Sequence, residues 1–152
     1  MGRICSFVAA ALVFLAAMIP VAGTVQAHCQ VPCGIYDDHM RIDMMLEDLK
    51  TVRKCIEMIN KLSAALPVDY NQIVRWVNNK DVHADKISDV IAYYFMAQRL
   101  KPETDSESYT VKLELLHRAM YYAMKTKQGL DVANADELEK ALKKFGEEYF
   151  NE

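Results

Sequence analysis

From Met40 onward, apolar and polar positions alternate with the period of an amphipathic α-helix. The first apolar stripe has this spacing throughout and consists of Ile42, Met45, Leu46, Leu49, Val52, Ile56, Ile59 and Leu62. Residues that recur at three- and four-residue intervals fall on one face of a helix, so this stretch predicts one long helix. Asp37 or Asp38 is placed to cap its start, and Pro67 ends the turn that follows.

Three further stripes have the same period. The second runs from about Tyr70 to Leu100, with a possible break at Asn78-Asn79, where helix propensity is low, and Pro102 stops it. The third and fourth stripes comprise Leu113, Leu116, Met120 and Ala123, and then Leu138, Ala141, Leu142, Phe145 and Tyr149. The sequence therefore predicts four helical segments.

Local signals place the ends of the last two helices. Thr104 and Glu107 have the spacing of a capping box at the start of the third, and Gly129 is suited to follow its last turn. Asn134 with Glu137 has the same capping-box spacing and is expected to open the fourth.

Four helices joined by short polar turns, with no strand-period run, predict an all-α four-helix bundle over residues 40–152. Six methionines are interpreted as gap-filling core residues: Met44, Met45, Met58, Met96, Met120 and Met124.

The first 27 residues have the parts of a secretory signal peptide. Arg3 precedes a nearly unbroken apolar run over residues 4–22, and Val25-Gln26-Ala27 ends in a small residue. A basic start, an apolar stretch and a small-residue end favour cleavage after Ala27 and export to a periplasm or the medium. The alternative is an uncleaved membrane anchor, because the run is almost long enough to span a bilayer. After cleavage, no membrane attachment is expected.

Removing these 27 residues from the 152 leaves 125, and Arg3 is the one charged residue lost, which takes the formal net charge from −3 to about −4. No basic stripe of the kind that nucleic acid requires is present, so we exclude nucleic-acid binding.

Cysteine usage in the processed chain argues against a disulfide scaffold. Cys5 leaves with the signal peptide, which leaves the close pair Cys29 and Cys33 and a third, Cys55, inside a helical pattern. An odd number with one close pair points to a redox or metal role for that pair. A disulfide between Cys29 and Cys33 is the alternative in an exported protein, and Cys55 is expected to be an inert core thiol.

Residues 28–36, HCQVPCGIY, have neither a helical nor a strand period, and we call them the hook. If cleavage exposes the α-amine of His28, that nitrogen can join the amide nitrogen and sulfur of Cys29 in fused chelate rings. Pro32 bends the chain so that Cys33 can return its sulfur to the same plane. The His28 imidazole can then approach from the axial side.

A square of two nitrogens and two sulfurs favours nickel or copper. Copper(II) would oxidise thiolates, and zinc prefers a closed tetrahedron that two cysteines and one histidine do not complete. The hook is therefore predicted to hold nickel, with an open face for a small substrate.

Six of the nine hook positions, His28, Cys29, Pro32, Cys33, Gly34 and Tyr36, resemble the N-terminal hook of nickel-containing superoxide dismutases in type and spacing. The resemblance implies four-helix subunits assembled as a homohexamer. It implies conversion of superoxide to dioxygen and hydrogen peroxide by cycling between Ni(III) and Ni(II). It also implies that His28, Cys29 and Cys33 bind the metal, while Tyr36 stands over its open face.

The resemblance extends less closely to residues that orient the axial imidazole. Asp43 is the candidate for an acidic residue early in the first helix, with Glu47 as the second choice. His83 falls where the family usually has an arginine, and Gln30 replaces an aspartate found in some members. Lys101 resembles a lysine near the mouth of the family's site.

Two other interpretations are weighed against this one. A non-catalytic exported protein could bind nickel or copper with the same hook. Glu114 and His117 have the Glu-x-x-His spacing of di-iron bundles, but such a site requires a second copy of the pair, which the sequence lacks.

Overall fold

A computed structural model describes residues 38–102 and 106–151 of the chain. These residues form four helices and no strand, which confirms the predicted all-α bundle. The predicted signal peptide (1–27) and hook (28–36) lie outside the described residues. Among the helices described, none is long and apolar enough to cross a membrane.

Helix α1 spans Asp38–Ser63 and follows the first apolar stripe. Its fully buried positions recur every three or four residues: Ile42, Met45, Leu49, Val52, Cys55, Ile56 and Ile59. The helix already includes Asp38, so this aspartate lies in the first turn rather than before it, and Asp37 lies outside the described residues.

Helix α2 spans Tyr70–Asp89 and begins after Asp69, whose carboxylate accepts a hydrogen bond of 3.0 Å from the amide of Gln72. The expected break at Asn78-Asn79 is wrong, because the helix runs through both residues. Burial of neighbouring positions on the core side outweighs the weak propensity of two asparagines.

The irregularity lies further along, where the chain continues as a π-helical segment, Val90–Arg99. Its last turn is closed by a hydrogen bond of 2.9 Å from the amide of Leu100 to the carbonyl of Phe95, five residues earlier. The wider turn changes the angular position of the following side chains relative to an α-helix. The segment ends at Leu100, whose backbone is extended.

Helix α3 spans Ser106–Gln128 and stops directly before Gly129, as predicted. Thr104 of the predicted capping box lies outside the described residues. Helix α4 spans Val132–Phe150 and begins earlier than expected, because Asp131 rather than Asn134 caps it. The Asp131 carboxylate accepts a hydrogen bond of 3.0 Å from the Ala133 amide.

The helices pack in sequence order, α1 on α2, α2 on α3 and α3 on α4, and contacts between α1 and α4 close the bundle. The short connections make neighbours antiparallel. The core contains interleaved aromatic and aliphatic side chains, including Phe95, Phe145, Leu116, Leu138 and Ile87. The assignment of all six methionines to the core is wrong: Met45 is fully buried, whereas Met44, Met96 and Met124 are exposed.

Candidate metal centre

The hook joins the bundle at one end, where α1 begins and the π segment and α4 finish. The described residues do not include the predicted site residues of the hook, which are His28, Cys29, Cys33 and Tyr36. Asp38, the first described residue, is only two residues beyond Tyr36. An extended chain spans at most about 3.6 Å per residue. The two residues of chain from Asp38 back to Tyr36 therefore span at most about 7 Å, and the five back to Cys33 span at most about 18 Å. This end of the bundle is the base from which the hook extends.

At this base, the Asp38 carboxylate is the centre of a hydrogen-bonded group that we call the Asp38 cluster: Asp38, Tyr94, Arg99 and Tyr149. Tyr149 donates its hydroxyl to Oδ2 at 2.8 Å. Arg99 donates to Oδ1 from Nη2 at 2.8 Å and from Nε at 3.1 Å, and the Tyr94 hydroxyl donates to the same oxygen. The cluster joins α1, the π segment and α4.

The cluster lowers the pKa of its carboxyl group and raises the pKa of its two tyrosine hydroxyls. Burial alone would raise the pKa of Asp38, but hydrogen bonds from Tyr94, Tyr149 and Arg99 outweigh it and lower the pKa below 3.8. Burial and the bond to Asp38 raise the pKa of the Tyr149 hydroxyl far above its ordinary value. The carboxylate therefore stays ionised and the tyrosine neutral across the physiological range.

An open cavity of about 300 Å³ lies beside the cluster, between the end of the π segment and the start of α3. Four charged side chains line it: Asp38, Arg99, Lys101 and Lys112. Lys112 is 6% exposed. The described lining thus carries three cations and one carboxylate, although the whole chain has a net charge of −3. Lys101, predicted near the mouth of the site, lies at this cavity.

His83 lies on α2 and forms a pair with α1. Its Nδ1 is 2.5 Å from Oδ1 of Asp48, and both side chains are largely buried. Lys86 extends toward the same oxygen at 4.0 Å. A histidine held through Nδ1 presents Nε2 to a third group, which is how proteins orient imidazoles around metals. Asp48 was not among the residues selected from the sequence.

Asp43 and Glu47, the acidic residues selected from the sequence, lie on a different face of α1. Both are exposed and line a groove of about 570 Å³ between α1 and α4. Arg53 crosses this groove and binds Asp136 at 2.5 Å and Glu139 at 2.7 Å on α4. The structure thus brings His83 to Asp48, and it brings Asp43 and Glu47 toward α4.

The described bundle offers no alternative metal site. No group of three or more histidine, cysteine, aspartate or glutamate side chains within residues 38–102 and 106–151 could hold an ion. Glu114 pairs with Arg118 at 3.3 Å, and both Glu114 and His117 point to solvent, so the di-iron interpretation has no support. Cys55 is a fully buried thiol whose pKa is raised by burial, as expected of an inert core cysteine.

In a comparison with known families, the family model of nickel-containing superoxide dismutases matches residues 23–152, all but the first 22 residues of the chain. The chain belongs to this family. Comparison with curated proteins and with solved structures gives no match.

As a nickel superoxide dismutase the protein is an oxidoreductase whose substrate is superoxide and whose cofactor is nickel. The catalytic interpretation is therefore favoured over a non-catalytic nickel- or copper-binding protein. The donor set predicted for the hook would suit this metal, because two thiolates and an amide nitrogen are strong in-plane ligands.

The sequence did not predict most of the base of the hook. Asp38 was assigned only a capping role, and Arg99, Lys112 and Tyr149 were not selected as functional residues. Asp48, which lies beside His83, was not selected either. A charged residue at an apolar position of a helical pattern, such as Lys112, is the one local signal that could have drawn attention to them.

Proposed function

We propose that this nickel superoxide dismutase holds its metal in the hook, after removal of residues 1–27. The ligands would be the α-amine and imidazole of His28, the amide nitrogen and thiolate of Cys29, and the thiolate of Cys33. The observation that carries this proposal is the sequence HCQVPCGIY inside the part of the chain that the family model matches. The absence of a competing donor cluster in the described bundle supports it.

When bound, nickel supplies one-electron chemistry by alternating between its +3 and +2 states, as the disproportionation of superoxide requires. The two thiolates and the amide nitrogen would stabilise the higher state. Tyr36 would stand over the open face, where its hydroxyl orders water and limits access to molecules of the size of superoxide. Ordered water at this hydroxyl would also deliver the protons that peroxide formation consumes.

The charge of the cavity beside the Asp38 cluster supports a role in attracting the substrate. Superoxide is an anion, and a protein with net negative charge repels anions at long range. Arg99, Lys101 and Lys112 make this end of the bundle locally positive, within chain reach of Tyr36. We expect these cations to raise the rate of encounter at low ionic strength, and salt to screen that effect.

We propose His83 as the residue that orients the His28 imidazole, with Asp48 holding its ring; Asp43, and behind it Glu47, are the alternative acidic partners. Asp48 lies ten residues beyond Asp38, about 15 Å along α1. His28 lies ten residues before Asp38, and a fully extended chain of that length spans at most about 36 Å. Chain length therefore permits the hook to fold back to His83.

We also propose that the apolar run over residues 4–22 directs export to a periplasm or the medium, and that the processed chain has no membrane attachment. A homohexamer is proposed from the resemblance of the hook to the family. Analytical ultracentrifugation of the processed protein tests this assembly, and a species of one or two subunits at micromolar concentration would contradict it.

The experiment that tests the ligand proposal is intact-mass analysis and N-terminal sequencing of the exported, nickel-loaded protein, together with a pulse-radiolysis assay of superoxide loss. We expect a chain that starts HCQVP, one nickel per subunit and activity that disappears when the metal is removed. Active protein whose chain begins anywhere other than His28 would overturn the proposal, since the α-amine would then be part of a peptide bond.

A further inference from the structure

Asp38 connects more of the bundle than its position in a helix terminus would suggest. Its side chain is 19% exposed, and the groups that bind it come from residues 56, 61 and 111 positions away. These are Tyr94 and Arg99 of the π segment and Tyr149 of α4. Next to Asp38, the ring of His39 stacks on Phe150 with 3.4 Å between centroids. The first turn of α1 is thus attached to two other elements.

This attachment restrains the first turn of the helix. The first four backbone amides of a helix have no partners within it, and chain termini fray unless other contacts hold them. A carboxylate that accepts charge-assisted and hydroxyl hydrogen bonds from two packed elements provides that restraint. The first turn of α1 is therefore held in place at Asp38.

We propose that Asp38 is a positioning residue for the nickel site. By attaching the first turn of α1 to the π segment and α4, it fixes where the hook emerges and how Tyr36 stands relative to the metal. This inference rests on the proposed function, because it takes the hook as the metal site. It differs from that proposal in naming a residue of the bundle, outside the ligand set, that controls the geometry of the centre.

The protein contains a matched cluster that allows the positioning role to be separated from simple stabilisation. Glu139 on α4 also joins two helices through cations: it binds Arg53 of α1 at 2.7 Å and Lys143 at 2.7 Å. Its position in the first half of α4, well away from the end of that helix, places it far from the base of the hook. Removing its charge should affect stability without affecting the hook.

The test uses the full processed chain, loaded with nickel, in four forms: wild type, Asp38→Asn, Tyr149→Phe and the control Glu139→Gln. Electron paramagnetic resonance of the oxidised metal and nickel affinity in competition with a chelator are measured, with thermal unfolding as the stability readout. We expect Asp38→Asn to alter the nickel signal and weaken nickel binding about tenfold, as loss of groups that orient ligands commonly does. Tyr149→Phe should change both readouts in the same direction by less, and Glu139→Gln should change neither.

The outcomes are distinguishable. If Asp38→Asn lowers the melting temperature but leaves the nickel signal and affinity as in wild type, the positioning role is wrong. If Asp38→Asn does not fold, Tyr149→Phe, which lacks only one hydroxyl, decides the question by the same two readouts. If the wild-type chain itself binds no nickel at the hook, the proposed function fails first, and this is seen without any variant.

Discussion

The ammonium group of Lys80 on α2 donates a hydrogen bond of 2.6 Å to the backbone carbonyl of Thr126 in the last turn of α3. It also donates to the carbonyl of Lys127 at 2.8 Å and to the carboxylate of Asp81 at 3.0 Å. The last four carbonyls of a helix have no partners within it, and Lys80 satisfies two of them. Its side chain is 2% exposed, so this is a buried cation with its three donors in use.

Replacing Lys80 with methionine should destabilise the protein by about 2 kcal/mol or more, because two buried carbonyls would lose charge-assisted hydrogen bonds while the apolar part of the side chain is kept. Urea unfolding followed by circular dichroism measures the change. Lys140→Met is the control, since that side chain is 64% exposed and its substitution should change the free energy of unfolding by less than about 0.5 kcal/mol. If Lys80→Met and Lys140→Met are equally stable, water must be supplying the hydrogen bonds that the Lys80 ammonium group gave to the two carbonyls.

The cysteines should divide into two classes. Cys29→Ser or Cys33→Ser should abolish superoxide dismutation and change the optical spectrum of the metal, because a hydroxyl is a poor substitute for a thiolate on nickel. Cys55→Ser should change neither, since Cys55 is buried in the bundle and accepts only a 3.5 Å contact from the Asn79 amide. Loss of the nickel spectrum in Cys55→Ser, with the protein still folded, would contradict this division.

His83 and Asp48 should act as one unit on the metal. His83→Gln removes the ring, and Asp48→Asn removes the carboxylate that holds Nδ1, so each should lower the turnover rate by about tenfold and the double variant should be little worse than either. Pulse radiolysis of nickel-loaded protein gives the rates. His117→Gln is the control, because His117 is exposed on α3. Wild-type rates in His83→Gln, with reduced rates in Asp43→Asn, would instead assign the orientation of the imidazole to Asp43.

Acid should weaken the Asp38 cluster. The pKa of Asp38 is lower in the folded chain than its ordinary value of 3.8, so the carboxylate contributes its full stabilisation above that value and loses it as the pH falls through the lower, folded pKa. As the pH is lowered from about 5 to about 2, the urea concentration at the midpoint of unfolding should therefore decrease less steeply for Asp38→Asn than for wild type. Tyr149→Phe should be intermediate, because it removes one of the hydrogen bonds that lower the pKa. The same slope in all three proteins would refute this origin of the acid sensitivity.

Local patterns in the sequence predicted the helices well. The stripe from Ile42 to Leu62 identified α1, and Gly129 marked the end of α3, because periodicity and glycine act over a few neighbouring residues. The same local reasoning was wrong at Asn78-Asn79 and at the start of α4. There, burial and the Asp131 side chain outweighed the signals on which the prediction relied.

The hook is the segment whose predicted function depends on residues that are close together in the sequence. Its nine positions include a histidine, two cysteines, a proline and a tyrosine. A metal site can be predicted from them without knowledge of the fold, because the predicted donors of one chelate are neighbours in the chain. Family membership over residues 23–152 confirms the activity and the metal predicted from these residues, and their assignment as ligands stays a prediction.

The sequence by itself thus determined the helical class, the approximate helix bounds and the nickel superoxide dismutase family. Only the tertiary structure decided which side chains meet at the base of the hook: Asp38 and Tyr149 are 111 residues apart in the chain, yet 2.8 Å separates their oxygens. It also decided that Lys80 is buried and that Asp48, not a neighbouring acid, meets His83. The physical reason is that helix packing and the π segment set the angular position of each side chain, and no periodic pattern along the chain encodes which helix end will face another.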